Sequence, residues 1–112
     1  MTDFIQITTA AGSRDEADRL ATTLVDRRLA ACVQIVGPVR SVYRWQGAIE
    51  HSEEWLCQIK TTSELFAAVE WAVREIHSYD CPEIVATPII AGSAAYLQWL
   101  AEQVSAPGSA GG

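Results

Sequence analysis

The chain has few of the features that mark membrane, secreted and nucleic-acid-binding proteins. Its 112 residues hold no apolar run near the roughly 18 residues needed to cross a bilayer. Met1-Thr2-Asp3 lacks the basic start of a secretory signal. Eight Lys and Arg against 14 Asp and Glu give a net charge of -6, which repels phosphate backbones on balance. We therefore expect a cytoplasmic protein that binds neither membranes nor nucleic acid.

Cysteine is scarce, and its spacing excludes the common cysteine motifs. Cys32, Cys57 and Cys81 are an odd number at wide spacing, without a C-x-x-C pair, and fit reduced thiols better than a disulfide framework. The motifs of serine hydrolases, zinc proteases and phosphate-binding loops are also absent. Neighbouring carboxylates such as Glu53 and Glu54 point to opposite faces of a strand and cannot act as an acid–base pair. The sequence predicts no enzymatic activity.

The most informative feature that is present is a long hairpin between Ala31 and Thr61. Its two arms flank the tip Arg44-Trp45-Gln46-Gly47, and each exceeds the usual five or six residues of a strand. Gly37-Pro38 predicts a bulge, because proline cannot donate to the ladder and glycine permits unusual dihedrals. Tyr43, Trp45 and Trp55 form an aromatic area that a monomer would leave in water. The hairpin therefore predicts an oligomer.

The other segments alternate between strand and helix patterns. The predicted elements are a strand from Phe4 to Thr9, a helix that starts with the capping box Ser13 to Glu16 and ends near Arg28, the hairpin, a helix from Ser63 that stops before Pro82, a strand from Ile84 to Ile90, and a short helix from Ala94 to Val104. This order is the ferredoxin-like βαββαβ pattern of an α+β fold, with an extra C-terminal helix. It predicts one domain, 1–104, followed by a disordered tail, 105–112.

The predicted topology gives a second reason to expect an oligomer. Right-handed crossovers place both long helices on one face of a four-stranded antiparallel sheet. The third helix is too short to cover the opposite face. We expect another subunit to cover it.

The candidate metal ligands have spacings that leave their roles open. His77 and Cys81 lie four residues apart, but the helix is expected to end between them, so a shared ion would require a tight turn. The alternative is that His77 caps the helix and Cys81 packs as a small hydrophobe. Cys32 and Cys57 lie on arms that pair, on the same face or on opposite faces, because the bulge shifts the register. Lys60 either helps to bind an anion at the following helix N-terminus or forms a salt bridge.

Five segments resemble one known family, the CutA divalent-cation-tolerance proteins. They occur in the family's order and at its spacing, and together they extend over nearly the whole chain up to the tail. The segments are A-A-C-V-Q-I from Ala30, V-R-S-V-Y-R-W-Q-G-A-I-E from Val39, I-K-T-T from Ile59, H-S-Y-D-C-P-E-I-V-A-T-P-I from His77 and A-Y-L-Q-W-L from Ala95.

The resemblance implies a ferredoxin-like subunit in a tight homotrimer, an assembly also seen in PII-type signalling proteins. It implies a cytoplasmic protein linked to tolerance of copper and other divalent cations. Cys32 matches the cysteine of the family's A-C-V motif, and His77, Tyr79 and Pro82 match its H-P-Y-x-x-P motif. Ser78 replaces the proline of that motif.

Two further departures from the family concern the metal ligands. Gln34 replaces the usual asparagine, and Thr8 stands where some members have a cysteine. The resemblance therefore implies His77 and Cys32 as copper ligands, with Cys81 available nearby in place of the missing thiol.

Two functions follow as hypotheses. In the first, the chain is a homotrimeric, copper-binding protein of divalent-cation tolerance. In the second, it is a PII-like sensor or scaffold whose clefts between subunits take a small anionic metabolite near Lys60.

Overall fold

The computed structural model describes residues 3–105. The predicted tail lies outside them, apart from Ser105. The elements are β1 (Phe4–Ala11), α1 (Arg14–Asp26), β2 (Cys32–Trp45), β3 (Ala48–Thr62), a 3-10 turn (Ser63–Leu65), α2 (Phe66–Ile76), β4 (Val85–Pro88) and α3 (Ala94–Gln103). The predicted order of strands and helices is confirmed.

The strands form one sheet in the order β2-β3-β1-β4, and every neighbouring pair is antiparallel. This is the arrangement of a ferredoxin-like fold. The predicted fold class is therefore confirmed, and β2 and β4 are the sheet edges.

The core lies between one face of the sheet and the helices α1 and α2. Side chains alternate along a strand, so every second residue of β1 and β3 faces the helices. Apolar residues of the sheet and of both helices form a single buried cluster; its fully buried aliphatic members are Ile7, Ile59, Leu20, Leu24, Val69 and Val73. The opposite face of the sheet is more polar and carries residues such as Gln6, Gln58 and Lys60.

The hairpin of β2 and β3 closes through the two-residue turn Gln46-Gly47. Both residues have positive φ, 49° and 82°, which is the backbone of a type I′ turn and matches the twist of the two strands. Val36 pairs with Leu56 and Val39 with Glu54, so Gly37 and Pro38 together face a single residue of β3. The predicted bulge at Gly37-Pro38 is confirmed.

Three helix boundaries differ from the sequence-based expectations. The helix α1 ends at Asp26 instead of near Arg28, because Arg28 adopts a left-handed backbone with φ of 58°. The Arg28 guanidinium instead donates to the Gln103 carbonyl at 3.2 Å, at the negative end of α3. The second helix begins with the 3-10 turn, and α3 ends one residue early, at Gln103.

The strand β4 is shorter than the predicted Ile84–Ile90. It covers only Val85–Pro88, and all four of its residues are exposed. An apolar run such as Ile84–Ile90 is typical of a strand covered on both faces, but the exposed residues of β4 form an edge of the sheet. Proline donates no hydrogen bond to a ladder, which is consistent with a short edge strand ending at Pro88.

Large apolar side chains at the tip of the hairpin are exposed. Trp45 keeps 58% of its surface in solvent and Ile49 keeps 62%.

Within residues 3–105, no helix combines the length and the apolar character needed to span a membrane.

Candidate functional site

A cleft of about 630 Å³ lies between the hairpin and the segment that follows α2. We call it the hairpin cleft and call residues 77–83 the 77–83 segment. The hairpin and β1 contribute one side, and the 77–83 segment contributes the other. The lining residues are Ala10, Ser41, Val42, Tyr43, Trp45, Glu54, Tyr79, Asp80, Cys81 and Glu83.

The lining of the hairpin cleft is acidic and aromatic. Three of its residues, Glu54, Asp80 and Glu83, carry carboxylates, and none of the lining residues that the structure describes is Lys, Arg or His. A concave surface lined by one sign of charge concentrates counter-ions. The hairpin cleft is therefore suited to cations.

Tyr79 and Glu54 connect the two sides of the hairpin cleft. The Tyr79 hydroxyl donates to Glu54 Oε2 at 3.0 Å. Burial and hydrogen bonding raise the pKa of Tyr79 to about 12: burial has the largest effect, and the hydrogen bond to Glu54 has the next largest. The phenol therefore keeps its proton near neutral pH and holds the largely buried Glu54 side chain in place.

Three successive residues attach the 77–83 segment to three different elements. His77 donates from Nε2 to the Ala10 carbonyl of β1 at 2.8 Å. The Ser78 N–H and hydroxyl donate to the Glu16 carboxylate of α1, at 3.2 and 3.3 Å. Together with the contact of Tyr79 to β3, these bonds fix the segment that presents Asp80 and Cys81 to the cleft.

Glu16 has a tertiary role that the sequence reasoning missed. Its N–H donates to Ser13 Oγ at 3.1 Å, as a capping box requires. Its carboxylate, however, accepts from Ser78, 62 residues away in the sequence. The sequence signal for an N-cap was correct, but it could not distinguish a carboxylate that folds back on its own helix from one that binds another element.

Both ring nitrogens of His77 already have hydrogen-bond partners. A carbonyl oxygen can only accept, so the bond to Ala10 places the proton on Nε2. The other nitrogen, Nδ1, accepts from the Tyr79 N–H at 3.1 Å and lies 3.6 Å from Glu16 Oε2. The side chain is fully buried, so His77 would have to give up the Tyr79 contact to bind a metal through Nδ1. Its backbone N–H donates to the Val73 carbonyl, so His77 is the C-cap residue of α2, but its side chain binds Ala10 and Tyr79 instead of the carbonyls at the end of the helix.

The three thiols lie in three different environments. Cys32 pairs with Lys60, whereas Cys57 pairs with Ile35, so the two thiols point to opposite faces of the sheet. Cys57 is buried on the helix face, and burial raises its pKa to about 11. Cys32 is half-buried near Tyr96 of α3, and Cys81 is exposed in the hairpin cleft.

The predicted copper ligands do not meet within one subunit. Cys81 lies in the cleft, the buried side chain of His77 binds Ala10 and Tyr79, and Cys32 is the first residue of β2, far along the strand from the residues that line the cleft. Across residues 3–105, no three His, Cys, Asp or Glu side chains are grouped closely enough to hold a metal ion. The residues of a single subunit therefore do not form the three-ligand copper site that the resemblance implies.

The candidate Lys60 and the second histidine of the chain, His51, both have partners outside the hairpin cleft. Lys60 donates to Gln34 Oε1 at 2.6 Å, on the face of the sheet opposite α1 and α2, so it does not reach the N-terminus of α2. His51 is exposed and contacts Arg40 at 2.8 Å through Nδ1. Neither residue lines the hairpin cleft.

The fold and the site together define a class of protein. The subunit is a ferredoxin-like α+β protein with an extended β2–β3 hairpin, and its acidic cleft suits a cation. A family model described as CutA1 divalent ion tolerance protein matches residues 5–103. The chain therefore belongs to the CutA1 family of divalent-cation-tolerance proteins, as its motifs had indicated.

Individual relatives support the same assignment. The divalent-cation tolerance protein CutA of Thermus thermophilus is 46% identical over 90 residues, which cover 80% of this chain and 87% of that protein. The protein of the same description from Archaeoglobus fulgidus is 44% identical over 104 residues, covering 93% and 99% of the two chains.

Solved structures confirm the fold. The crystal structure of CutA1 from Oryza sativa superposes with a TM-score of 0.90 at 36% identity, covering 92% of this chain and 94% of that one. The solved Archaeoglobus fulgidus structure, with a TM-score of 0.85 at 44% identity and coverage of 94% and 100%, is described as a periplasmic divalent cation tolerance protein.

Proposed function

We propose that this chain is a homotrimeric protein of divalent-cation tolerance that binds copper. The observation that carries the metal part is the hairpin cleft, whose lining includes three carboxylates and the exposed thiol of Cys81. Thiolates are soft ligands that favour Cu(I), and carboxylates add negative charge. We also propose that the protein acts by binding, without catalysis.

The trimer is proposed from the hairpin tip. A hairpin whose tip exposes Trp45, Val42 and Ile49 has an apolar surface of the kind that marks interaction sites. The edge strands β2 and β4 also offer backbone groups for pairing with another subunit. The expected result is a solution mass of three subunits, measured by sedimentation. A stable, compact single subunit at low micromolar concentration would contradict the trimer.

Assembly would also complete the metal site. Because one subunit brings together fewer than three ligands across residues 3–105, we propose that Cys81 binds copper with donors from a neighbouring subunit. His77 and Cys32 remain proposed ligands. To bind copper, His77 would have to lose its hydrogen bond to Tyr79 in the 77–83 segment. Cys32 would need further ligands from a neighbouring subunit on the face of the sheet opposite α1 and α2.

Anaerobic titration of the reduced protein with Cu(I) tests the copper proposal. We expect stoichiometric binding, lost in Cys81→Ser and weakened in Cys32→Ser and His77→Ala. The matched control is His51→Ala, which removes an exposed histidine outside the cleft and leaves binding unchanged. Absence of stoichiometric binding by the native trimer would end the copper proposal.

We further propose a cytoplasmic location. Cys32, Cys57 and Cys81 are all free thiols, and reduced thiols persist in the cytoplasm. Cell fractionation tests this directly, since the Archaeoglobus relative described as periplasmic sets the opposite expectation.

The PII-like alternative, a small anionic metabolite bound near Lys60, gains no support from the geometry. Lys60 contacts Gln34 away from the hairpin cleft. An anion entering that cleft would meet Glu54, Asp80 and Glu83, which repel it.

A further inference from the structure

Ser78 joins the 77–83 segment to the first helix through two hydrogen bonds. Its N–H donates to Glu16 Oε1 at 3.2 Å, and its hydroxyl donates to Glu16 Oε2 at 3.3 Å. Ser78 stands where the CutA motif has proline, a residue that has neither an N–H nor a hydroxyl to donate. The link between α1 and the segment therefore depends on the serine of this chain.

The Glu16 carboxylate has a physical reason to keep both bonds. Its side chain is only 9% exposed, and a buried carboxylate is costly unless it is hydrogen-bonded. Arg19 lies 3.9 Å away, but its side chain is 62% exposed, so solvent screens this ion pair. Within residues 3–105, Ser78 supplies both hydrogen bonds that the carboxylate accepts.

The same contacts hold the His77 ring in a position where it cannot bind a metal. Nδ1 accepts from the Tyr79 N–H at 3.1 Å and lies 3.6 Å from Glu16 Oε2. Ser78 is the residue between His77 and Tyr79, so its bonds to Glu16 fix the backbone that carries both. While these bonds persist, the lone pair of Nδ1 that a metal needs is already occupied.

From these contacts we propose that Ser78 and Glu16 form a latch that controls whether His77 can join Cys81 in binding copper. In the closed state, which the structure shows, both bonds of Ser78 are formed and Nδ1 binds the Tyr79 N–H. In the open state, the bonds of Ser78 are broken and Nδ1 is free. The latch rests on the proposed copper function and assigns the regulation of that site to two residues that bind no metal themselves.

A latch of this kind makes copper binding weaker than the ligands alone would allow. When a ligand binds only a minor state, its affinity is reduced by the fraction of molecules in that state. Each bond from Ser78 to the charged carboxylate favours the closed state. Removal of one donor should therefore raise the open fraction and tighten copper binding by the same factor.

The opposite role, in which the latch strengthens copper binding by fixing the segment, fits the geometry less well. A fixed segment improves binding only when it holds the ligands in their binding positions. Here the bonds hold His77 Nδ1 against the Tyr79 N–H. The ring is fully buried, whereas the thiol of Cys81 is exposed, so the closed state keeps the two proposed ligands apart.

Hydrogen exchange of the Tyr79 amide tests the latch without metal. This N–H is bound to His77 in the closed state, and its exchange through local opening reports the open population. The measurement is the NMR protection factor of the amide in chelator-treated protein. Ser78→Ala removes the hydroxyl and keeps the backbone N–H. It is expected to lower the protection factor about three- to tenfold, the effect of one hydrogen bond to a charged group. An unchanged protection factor would overturn the latch.

Two further variants separate the latch from a general loss of stability. Ser78→Thr keeps both donors and should keep the protection factor of the native protein. The matched control is Ser63→Ala, which removes an exposed serine in the turn before α2, at the other end of that helix from His77. It should leave the Tyr79 amide unchanged. A loss of protection equal to that of Ser78→Ala would overturn the assignment.

Anaerobic titration of the same proteins with Cu(I) tests the control of copper binding. Ser78→Ala is expected to bind copper more tightly than the native protein, by the factor that hydrogen exchange gives. Adding His77→Ala should abolish this gain, because the latch acts through His77. An affinity that is unchanged or weaker in Ser78→Ala, or a gain that persists without His77, would overturn the proposal.

Failure of the copper proposal is distinguishable from failure of the latch. If the native protein and every variant bind no copper, the copper proposal is wrong. The protection factor of the Tyr79 amide is measured without metal and decides the latch separately: a lower value in Ser78→Ala supports it, and an equal value refutes it.

Discussion

Replacing Gly37 by alanine should destabilise the protein through a clash with Trp55. A Cβ at position 37 would lie 2.5 Å from Trp55 Cδ1, 2.8 Å from Cγ and 3.0 Å from the Trp55 Cα. Carbon atoms prefer separations of about 3.5–4.0 Å. The ring alone cannot relieve this overlap, because Trp55 Cα belongs to a strand paired on both sides, with Ala11 next to it in β1.

The magnitude follows from overpacking in a closely packed region. Such insertions typically cost about 1–3 kcal/mol, and a domain of this size loses about 4–8 °C of melting temperature per kcal/mol. We expect Gly37→Ala to lower the melting temperature by roughly 5–20 °C. Calorimetry at one fixed protein concentration measures this, since the stability of an oligomer depends on concentration.

Gly47 is the matched control in the same hairpin. It has φ of 82°, and no atom of the described residues beyond its chain neighbours lies within 4 Å of the place that an alanine Cβ would take. Gly47→Ala therefore costs only what a left-handed backbone costs, about 1–2 kcal/mol. This cost is independent of Trp55.

A double-mutant cycle separates the two causes. Adding Trp55→Ala, which removes both Cγ and Cδ1, should remove at least half of the cost of Gly37→Ala and leave the cost of Gly47→Ala unchanged. A coupling below about 0.5 kcal/mol between positions 37 and 55 would refute the packing argument, because contacting residues normally couple by more than that.

Two further predictions concern ionisable groups. Tyr79→Phe leaves Glu54 without its hydroxyl donor. We expect the free energy of unfolding, measured in urea, to fall by about 1–2 kcal/mol, because hydrogen bonds to charged groups contribute about 1.5–3 kcal/mol and partial exposure reduces this. An unchanged free energy of unfolding would show that the bond does not stabilise the fold. Burial raises the pKa of Cys57 to about 11, so the native state holds this proton more tightly than the unfolded chain, and stability should fall as pH rises from about 9 to 11. Melting temperatures of the native protein and of Cys57→Ala, measured between pH 9 and 11, test this. The melting temperature should fall less in Cys57→Ala, and an equal fall in both proteins would show that Cys57 is not its cause.

Local patterns allowed much of the fold to be predicted. Gln46-Gly47 between two long apolar arms indicated the turn, and Gly37-Pro38 indicated the bulge, because each depends on backbone dihedrals and donors of the residues themselves. The boundaries near Arg28 and Pro88 were less predictable. A left-handed Arg28 is stabilised by contacts to α3, which lies far along the sequence.

The candidate site was only partly predictable. Tyr79 was singled out by its motif and Cys81 by its spacing from His77, and both line the hairpin cleft. The partnership of Tyr79 with Glu54 was missed, since Glu54 was considered only as the neighbour of Glu53 on a strand. Nothing in the sequence around Glu54 distinguishes it from the exposed Glu53.

The sequence by itself determined the strand and helix order, the long hairpin and the family, because these follow from periodicity, turn residues and motif spacing. Only the tertiary structure decided that Cys32 and Cys57 lie on opposite faces of the sheet. The bulge shifts the pairing of β2 with β3, and a shift of one residue moves a side chain to the other face. It also decided that Glu16 binds Ser78 and that both nitrogens of His77 are occupied. The contacts of His77 with Ala10 and of Ser78 with Glu16 join residues more than 60 positions apart. Such contacts form only when the chain folds, so the sequence around each residue does not reveal them.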